Sequence, residues 1–431
     1  FLRVMVTGAS GLIGSAITAR LISAGHNVFG LARNVKEEAR RWTDAQWRTC
    51  DIARMTRSGL WVPYLDGVDA VVNCAGVLQD GPEDSTHGVH VDGIAALFAA
   101  CEQTGVRRVV HFSAIGVDRE APTAFSRTKL EGDRRLMASN LDWIILRPSV
   151  VVGRPAYGGS ALFRGLASLP VLPVMPNTGL LQVVQLDDVA DTALFFLAPG
   201  TPTRLALDLA GPEQLPFTEV VRKYRRWLGW SEPRIICLPA WVAGALYRLG
   251  DVAGRLGWRP PLRSTARREV VRGAVGDPRE WSRLTGITPQ SLSAALASEP
   301  ASVQERWFAA LYLLKPVLFS VLFAFWILSG LLSIGPGNQI GVALMSEGWA
   351  GSLSPFVVIA GSLVDLAIGI GIAIRRSAQF ALYAALAISV FYVIAGTIIL
   401  PRLWIDPLGP MVKIFPIMVL TLVALAILKD R

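Results

Sequence analysis

Three groups of residues have the types and the spacing for chemistry. The first is Gly8-x-x-Gly11-x-x-Gly14 in "VTGASGLIGSA". Glycines so spaced allow a tight turn, close approach of the backbone to a pyrophosphate, and close packing of the following helix on its strand. The start of that helix then offers free N–H groups to phosphate oxygens. The second group is Arg33, at the end of the next apolar run, with Asp51 and Ile52 closing "WRTCDI". An acidic residue at position 33 would accept a ribose 2′-hydroxyl, whereas a guanidinium suits a 2′-phosphate. Arg33 therefore points to NADP(H) over NAD(H), the alternative being a solvated loop charge. Asp51 is placed to touch an adenine edge, or simply to start a loop or cap a helix. The third group is "AFSRTKLEGD", residues 124–133. Phe125 and Lys129 stand four apart and share one helix face. A phenyl ring has no proton to transfer. Ser126 and Thr128 point to other faces, which leaves water as the proton source. General acid catalysis is typically worth about 10²–10⁴-fold.

These residues need strands and helices to hold them. Residues 2–6 are mostly apolar and β-branched, which predicts a buried strand. An alanine- and leucine-rich helix ending near Gly25 follows, then a second strand over 27–31. "DAVVNCAG" (69–76), "RRVVHFSAIG" (107–116, with Ser113 near its end) and "DWIILRPSVVVG" (142–153) continue at α/β spacing. In such open sheets ligands lie at the carboxyl ends of the strands, where Asp51, the small-residue turn after "VVN" and Ser113 fall.

The ordered set TGASGLIG, CDI, NCAG, FSAIG, Lys129 with EGD after it, and RPSVVVG resembles the extended and atypical short-chain dehydrogenases/reductases over roughly residues 1–290. The resemblance implies a Rossmann-type doubly wound parallel α/β sheet with a small substrate subdomain. It also implies catalytic roles for Ser113 and Lys129, with Phe125 replacing the expected tyrosine. That tyrosine would pass the proton while hydride moves, and the lysine would lower its pKa and hold the nicotinamide ribose. Nucleotide contacts would fall on Gly8, Ser10, Gly11, Leu12, Ile13, Gly14, Arg33, Asp51, Ile52, Cys74, Ala75, Gly76, Lys129 and Pro148. The departure at position 125 leaves nucleotide binding intact and puts carbonyl chemistry in question. The expected division is 1–155 for the nucleotide domain and 156–300 for the subdomain, with 183–221 returning to the sheet.

The chain has 431 residues, 52% of them apolar, and a net charge of +9. Much of the excess is arginine between 222 and 283, beside a stretch that changes solvent. From residue 305 the sequence is nearly free of charge, with four apolar runs of spanning length at 309–333, 355–374, 378–400 and 411–428. Arginines beside a bilayer suit anionic lipid, and no basic motif interleaved with aromatics marks a nucleic-acid reader. Cys50, Cys74, Cys101 and Cys237 form no C-x-x-C or Cys/His cluster and read as small buried apolar residues in a reducing compartment, with no metal or disulfide site. The chain opens into a strand without a charged and apolar leader, which predicts a cytoplasmic front domain. Arg375-Arg376 and the tail Lys429-Asp430-Arg431 place both termini on that side of a bacterial-type inner membrane. Arg402 and Lys413 give a modest contrary signal.

"VDLAIGIGIAIRR" and "PRLWIDPLGPMVKIFPIMVL", with the glycine-rich first loop, resemble the DoxX-like family of four-helix membrane proteins over 306–430. That resemblance implies an all-α four-helix transmembrane bundle and an association with quinone-linked redox processes. Asp365 lies inside the second run, where a carboxyl is costly and usually functional. It is expected to pair with Lys315, take a proton, hold a quinone oxygen, or make a packing hydrogen bond.

Two stretches lie between these parts. Residues 155–182 are rich in Gly, Pro and Leu, suiting an apolar substrate cover or plain core. Residues 238–259 place Val242, Leu246, Leu249, Ala253 and Leu256 on one stripe, either an in-plane interfacial helix or a domain helix with an apolar core face. The functional readings are a membrane-bound NADPH-dependent oxidoreductase for a hydrophobic substrate or quinone, a non-catalytic NADPH-binding accessory subunit of a membrane complex, and a nucleotide-gated lipid or transport module. The second is similar to the nucleotide-binding accessory subunit of respiratory complex I.

Overall fold

The computed structural model describes residues 1–348 and 350–429. It falls into two compact units, residues 1–251 with 260–309, and residues 252–259 with 310–431.

The first unit is built on seven strands: β1 (Arg3–Thr7), β2 (Asn27–Ala32), β3 (Gln46–Thr49), β4 (Ala70–Asn73), β5 (Arg108–Phe112), β6 (Asp142–Pro148) and β7 (Leu205–Leu209). They pair in parallel in the order β7-β6-β5-β4-β1-β2-β3. Buried parallel strands read as continuous apolar runs because both faces are covered. Successive side chains divide between two cores. Met5, Val71, Val109 and Ile145 enter one. Val4, Val6, Val72, Val110, Ile144 and Leu146 enter the other. The chain leaves β1 for β2 on one side and returns to β4 on the other, so the strand order reverses beside β1. A crevice at the carboxyl ends is the consequence.

Two small parallel pairs, Val151–Val152 with Val184–Gln185 and Val171–Val174 with Arg234–Cys237, extend the unit. Phe163, Ala167, Leu172 and Leu181 pack into a third core with Val220 and Tyr224. These side chains of the 155–182 stretch are thus core.

In the second unit, helices Leu314–Ile334, Ser354–Ala373 and Ala378–Ile399 provide three segments long and apolar enough to cross a membrane. The fourth expected span is shorter: the helix Ile414–Ile427 has 14 residues, about 21 Å of rise. Pro407 and Pro410, with Gly409 at φ +57°, keep the preceding residues in turns. The first span starts at Leu314, because the chain breaks at Leu313 after a separate helix, Val303–Tyr312. The first loop carries a helix that its glycines did not suggest, Asn338–Glu347. A Cβ on Gly330 would meet the Ser362 carbonyl oxygen at 2.7 Å, so the first two spans cross closely there. Asp430 and Arg431, used in the orientation argument, lie outside the described residues.

Candidate nucleotide site and a buried carboxyl in the membrane unit

The glycine turn follows β1 directly. Gly8 sits at φ +65°, and a Cβ there would meet the Cys74–Ala75 backbone at 2.9 Å. A Cβ on Gly14 would stand 2.2 Å from the Gly8 carbonyl oxygen. Only hydrogen fits at either place, which brings the end of β4 and the helix Leu12–Ser23 against the turn. Gly11 is the N-cap of that helix and supplies no side-chain cap. Ser10 is exposed, and Leu12, Ile13 and Gly14 form the first helical turn. Unpaired N–H groups at this end are what a phosphate takes.

The other expected residues surround the same edge. Arg33 follows β2 and donates to Asp84 Oδ1 at 2.7 Å and to the Glu83 carbonyl at 3.1 Å. Asp51 is the N-cap of a short 3-10 turn, with no side-chain cap bond, and pairs with Arg54 at 3.3 Å. Ile52 beside it is buried. Cys74 donates its N–H to the Thr7 carbonyl, and Ala75 donates to Asn73 Oδ1. Ser113 follows β5 and Pro148 ends β6. Cys237, expected to be buried, is exposed, because it ends the outlying strand Arg234–Cys237.

Phe125 and Lys129 lie on the helix Ala124–Met137, which Thr123 caps by accepting from Ser126 N. Lys129 is buried; its ammonium donates to the Phe112 carbonyl at 2.8 Å and the Ala75 carbonyl at 3.3 Å. It therefore sits between the carboxyl ends of β4 and β5. Burial lowers its pKa to about 8, against the opposing pull of Asp133 and Cys74.

Sequence reasoning missed His90. Its ring meets Phe125 edge-on with centroids 5.6 Å apart. Nε2 accepts from the Val77 N–H at 3.0 Å, so Nδ1 carries the proton and donates to Thr128 Oγ1 at 2.9 Å. Burial, then the Lys129 and His111 charges, lower its pKa to about 2. Both nitrogens are engaged, so His90 is no substitute for a missing phenol. Nothing in the spacing marks it, since it comes from an irregular helical turn 35 residues before Phe125.

A buried polar chain runs under the site. Thr7 Oγ1 donates to Asn73 Oδ1, and the Asn73 amide lies 2.8 Å from His111 Nδ1. His111 Nε2 faces Asp133 at 3.4 Å, and Arg147 reaches Asp133 at 3.1 Å and Asp118 at 3.0 Å. Burial alone would raise the Asp133 pKa, but His111, Ser113 and Arg147 bring it below the usual range. Asp133 is four residues past Lys129 on the same helix, a spacing that could have exposed it. Ser126 and Thr128 do point elsewhere: Ser126 donates to Glu269 at 2.9 Å, and Thr128 to the Ala124 carbonyl at 2.9 Å.

In the membrane unit, Asp365 is buried and accepts from Ser329 at 2.6 Å and Tyr392 at 3.0 Å. Of the alternatives, this is the packing hydrogen bond; Lys315 donates to the Ile427 carbonyl at 2.6 Å. Lys315 stands at the start of its span, so its amine meets the end of another helix rather than the interior.

Comparison with known proteins divides the chain the same way. Residues 8–168 match the NAD(P)H-binding family, and residues 323–422 match the DoxX-like family. An uncharacterised protein of Mycobacterium tuberculosis is 30% identical over 220 residues, 51% of this chain; the chain covers only 23% of that relative. The ceramide reductase of Caulobacter vibrioides is 25% identical over 251 residues, covering 56% of this chain and 76% of the relative. Sterol demethylase protein B of Methylococcus capsulatus is 25% identical over 329 residues, covering 70% and 98%. Among solved structures, the Bordetella bronchiseptica enzyme WbmG in complex with NAD superposes with a TM-score of 0.54 at 18% identity, over 72% of this chain and 96% of that one. At that identity the likeness shows the fold. The chain thus carries a segment that matches the NAD(P)H-binding family, on a fold shared with WbmG, followed by a segment that matches the DoxX-like family.

Proposed function

We propose that this protein is a membrane-anchored NADP(H)-dependent oxidoreductase acting on the carbonyl or hydroxyl group of a lipophilic substrate, a membrane lipid or a quinone. One observation carries the reading: Lys129 is a buried ammonium held at the carboxyl ends of β4 and β5, beside the glycine turn. A cation there is poised to meet ribose hydroxyls. Arg33 supports a 2′-phosphate, once it exchanges Asp84 for the ligand. The ceramide and sterol proteins among the relatives are named for lipids, which supports a lipophilic substrate. The balance of Lys and Arg around the apolar segments supports a cytoplasmic front domain.

When bound, the nicotinamide supplies or accepts the hydride. Lys129 would orient the ribose, and the glycine turn with the helix start would hold the pyrophosphate. In the reducing direction the substrate carbon gains hydride and its oxygen gains a proton. With Phe125 in place that proton comes from water.

Phe125, together with the occupied ring of His90, favours a second reading, a nucleotide clamp without turnover in an accessory subunit. The test is NADPH oxidation by the protein in lipid nanodiscs, with a short-chain quinone and a long-chain ketone as acceptors. Oxidation that Lys129→Ala abolishes supports the oxidoreductase. NADPH that binds and stays reduced in wild type, yet turns over in Phe125→Tyr, supports the clamp.

A further inference from the structure

The helix Ala240–Arg255 carries two opposed stripes. Ala243, Tyr247, Gly250 and Gly254 are buried. A Cβ on Gly250 would overlap the Leu262 carbonyl, and the Arg267 guanidinium lies over the Tyr247 ring. This face is seated on the protein. On the opposite side stand Trp241, Ala245, Leu249, Val252 and Leu256, spaced 4, 4, 3 and 4. Trp241 is 77% exposed, Leu249 66% and Val252 50%. At 100° per residue they occupy a sector of about 80°. The small-residue face therefore packs inward, and Leu249 and Leu256 of the expected stripe face out.

Two observations name what covers the outer face. The first is where the helix ends. Residues 252–259 belong to the membrane unit. The Leu256 carbonyl accepts from Arg375 N at 2.9 Å, Trp258 Nε1 donates to the Ala373 carbonyl at 2.7 Å, and the Trp258 ring packs on Phe319 at 4.9 Å. Ala373 is the last residue of one span and Phe319 lies in the second turn of another. The end of the helix is thus fixed at the depth where spans begin and finish. The second is charge. Arg248 and Arg255, seven residues apart and both exposed, flank the apolar sector on one side. An apolar sector bordered by arginines and anchored at span ends is the pattern of an in-plane interfacial helix.

We propose that the outer face of Ala240–Arg255 lies in the headgroup layer of a leaflet containing anionic lipid, with Trp241, Leu249 and Val252 inserted. The helix is about 24 Å long. This contact does not depend on the oxidoreductase reading.

The test uses the full chain in nanodiscs with phosphatidylglycerol, on a Cys237→Ser background measured as the blank. Nitroxides are placed at Leu249→Cys, Val252→Cys, Arg248→Cys and, as an aqueous control, Glu37→Cys, which is exposed on the nucleotide unit. Collision with oxygen is compared with collision with a water-soluble nickel chelate. The expected oxygen-to-nickel ratio at 249 and 252 is about fivefold or more above that at 37, with 248 between them. A ratio at both 249 and 252 equal to that at 37 overturns the proposal. Shielding from both reagents also overturns it, because it would mean a protein partner covers the face. Arg248→Gln with Arg255→Gln should lower the ratio at 249, as should replacing the anionic lipid by phosphatidylcholine. A ratio unmoved by either change removes anionic lipid as the occupant.

Discussion

Each unit buries an ionisable side chain, and the two satisfy it differently. Lys129 rests on two backbone carbonyls, those of Phe112 and Ala75. Asp365 rests on two hydroxyls, from Ser329 and Tyr392 on neighbouring helices. The architecture explains the contrast. Where parallel strands end, carbonyls run out of strand partners and point into a crevice, ready for a cation. Inside a membrane helix the backbone groups are already paired within the segment, so a carboxyl must be met by side chains. A sheet edge thus leaves a charge exchangeable with ligand, while a helix bundle ties it into packing.

Substitutions can break or sharpen that contrast. The largest effect is expected where a buried charge of the nucleotide unit has side-chain partners. Asp133→Leu leaves His111 and Arg147 facing an apolar group, and thermal melting should report a loss of about 3–5 kcal/mol. Lys129→Met should behave in the opposite way. Its partners are backbone and its own burial is unfavourable, so melting of the ligand-free protein near pH 7 should not fall. NADPH affinity should fall by about 10–100-fold, as expected for hydrogen bonds to a charged group.

The pH dependence follows from the same residue. Its pKa of about 8 is depressed from 10.5 by burial, so the ammonium is charged below that pH and neutral above it. NADPH affinity should decline as pH rises through about 8 in wild type and stay flat over that range in Lys129→Met, read by fluorescence titration. For ligand-free stability the sign is reversed. A folded lysine with a lowered pKa sheds its proton before the unfolded chain does, so its contribution improves between pH 8 and 10.5.

Asp365→Leu should cost about 1 kcal/mol of helix-bundle stability, typical of interhelical hydrogen bonds, and should leave NADPH affinity unchanged in the same titration. The smallest effect is expected at Arg33. Arg33→Ala should weaken NADPH by about fivefold and NADH little, consistent with a partly exposed charge-assisted contact. Asp84→Asn, which frees Arg33 of a competitor, should shift the preference toward NADPH.

The sheet was legible because its signals are local. "LRVMV" and "DAVVN" are continuous apolar runs, and glycines 8, 11 and 14 allow few other arrangements. The strand ends brought Ser113, Lys129 and the glycine turn together as the order of motifs implied. His90 was not legible, because its place beside Phe125 depends on how an irregular turn packs. The outward stripe of Ala240–Arg255 was ambiguous for a similar reason. Two stripes of that helix are free of charge, one large and one small, and only contact with Leu262 and Arg267 decides which is covered. The fourth apolar run looked long enough because hydropathy counts Met411 and Val412 whether or not the preceding prolines permit a helix there. For Asp365 the sequence left four roles open; the packing hydrogen bond was among them, but the hydroxyls of Ser329 and Tyr392 that make it follow only from how the helices cross.

The central claim is that the crevice beside β1 and β4 binds a reduced nicotinamide dinucleotide through Lys129. Its most direct test is NADPH fluorescence, titrated with the full protein in nanodiscs. Saturable binding is expected in wild type, tighter for NADPH than for NADH, and weakened at least about tenfold by Lys129→Met. Absence of saturable binding in wild type, or equal binding by wild type and Lys129→Met, would contradict it.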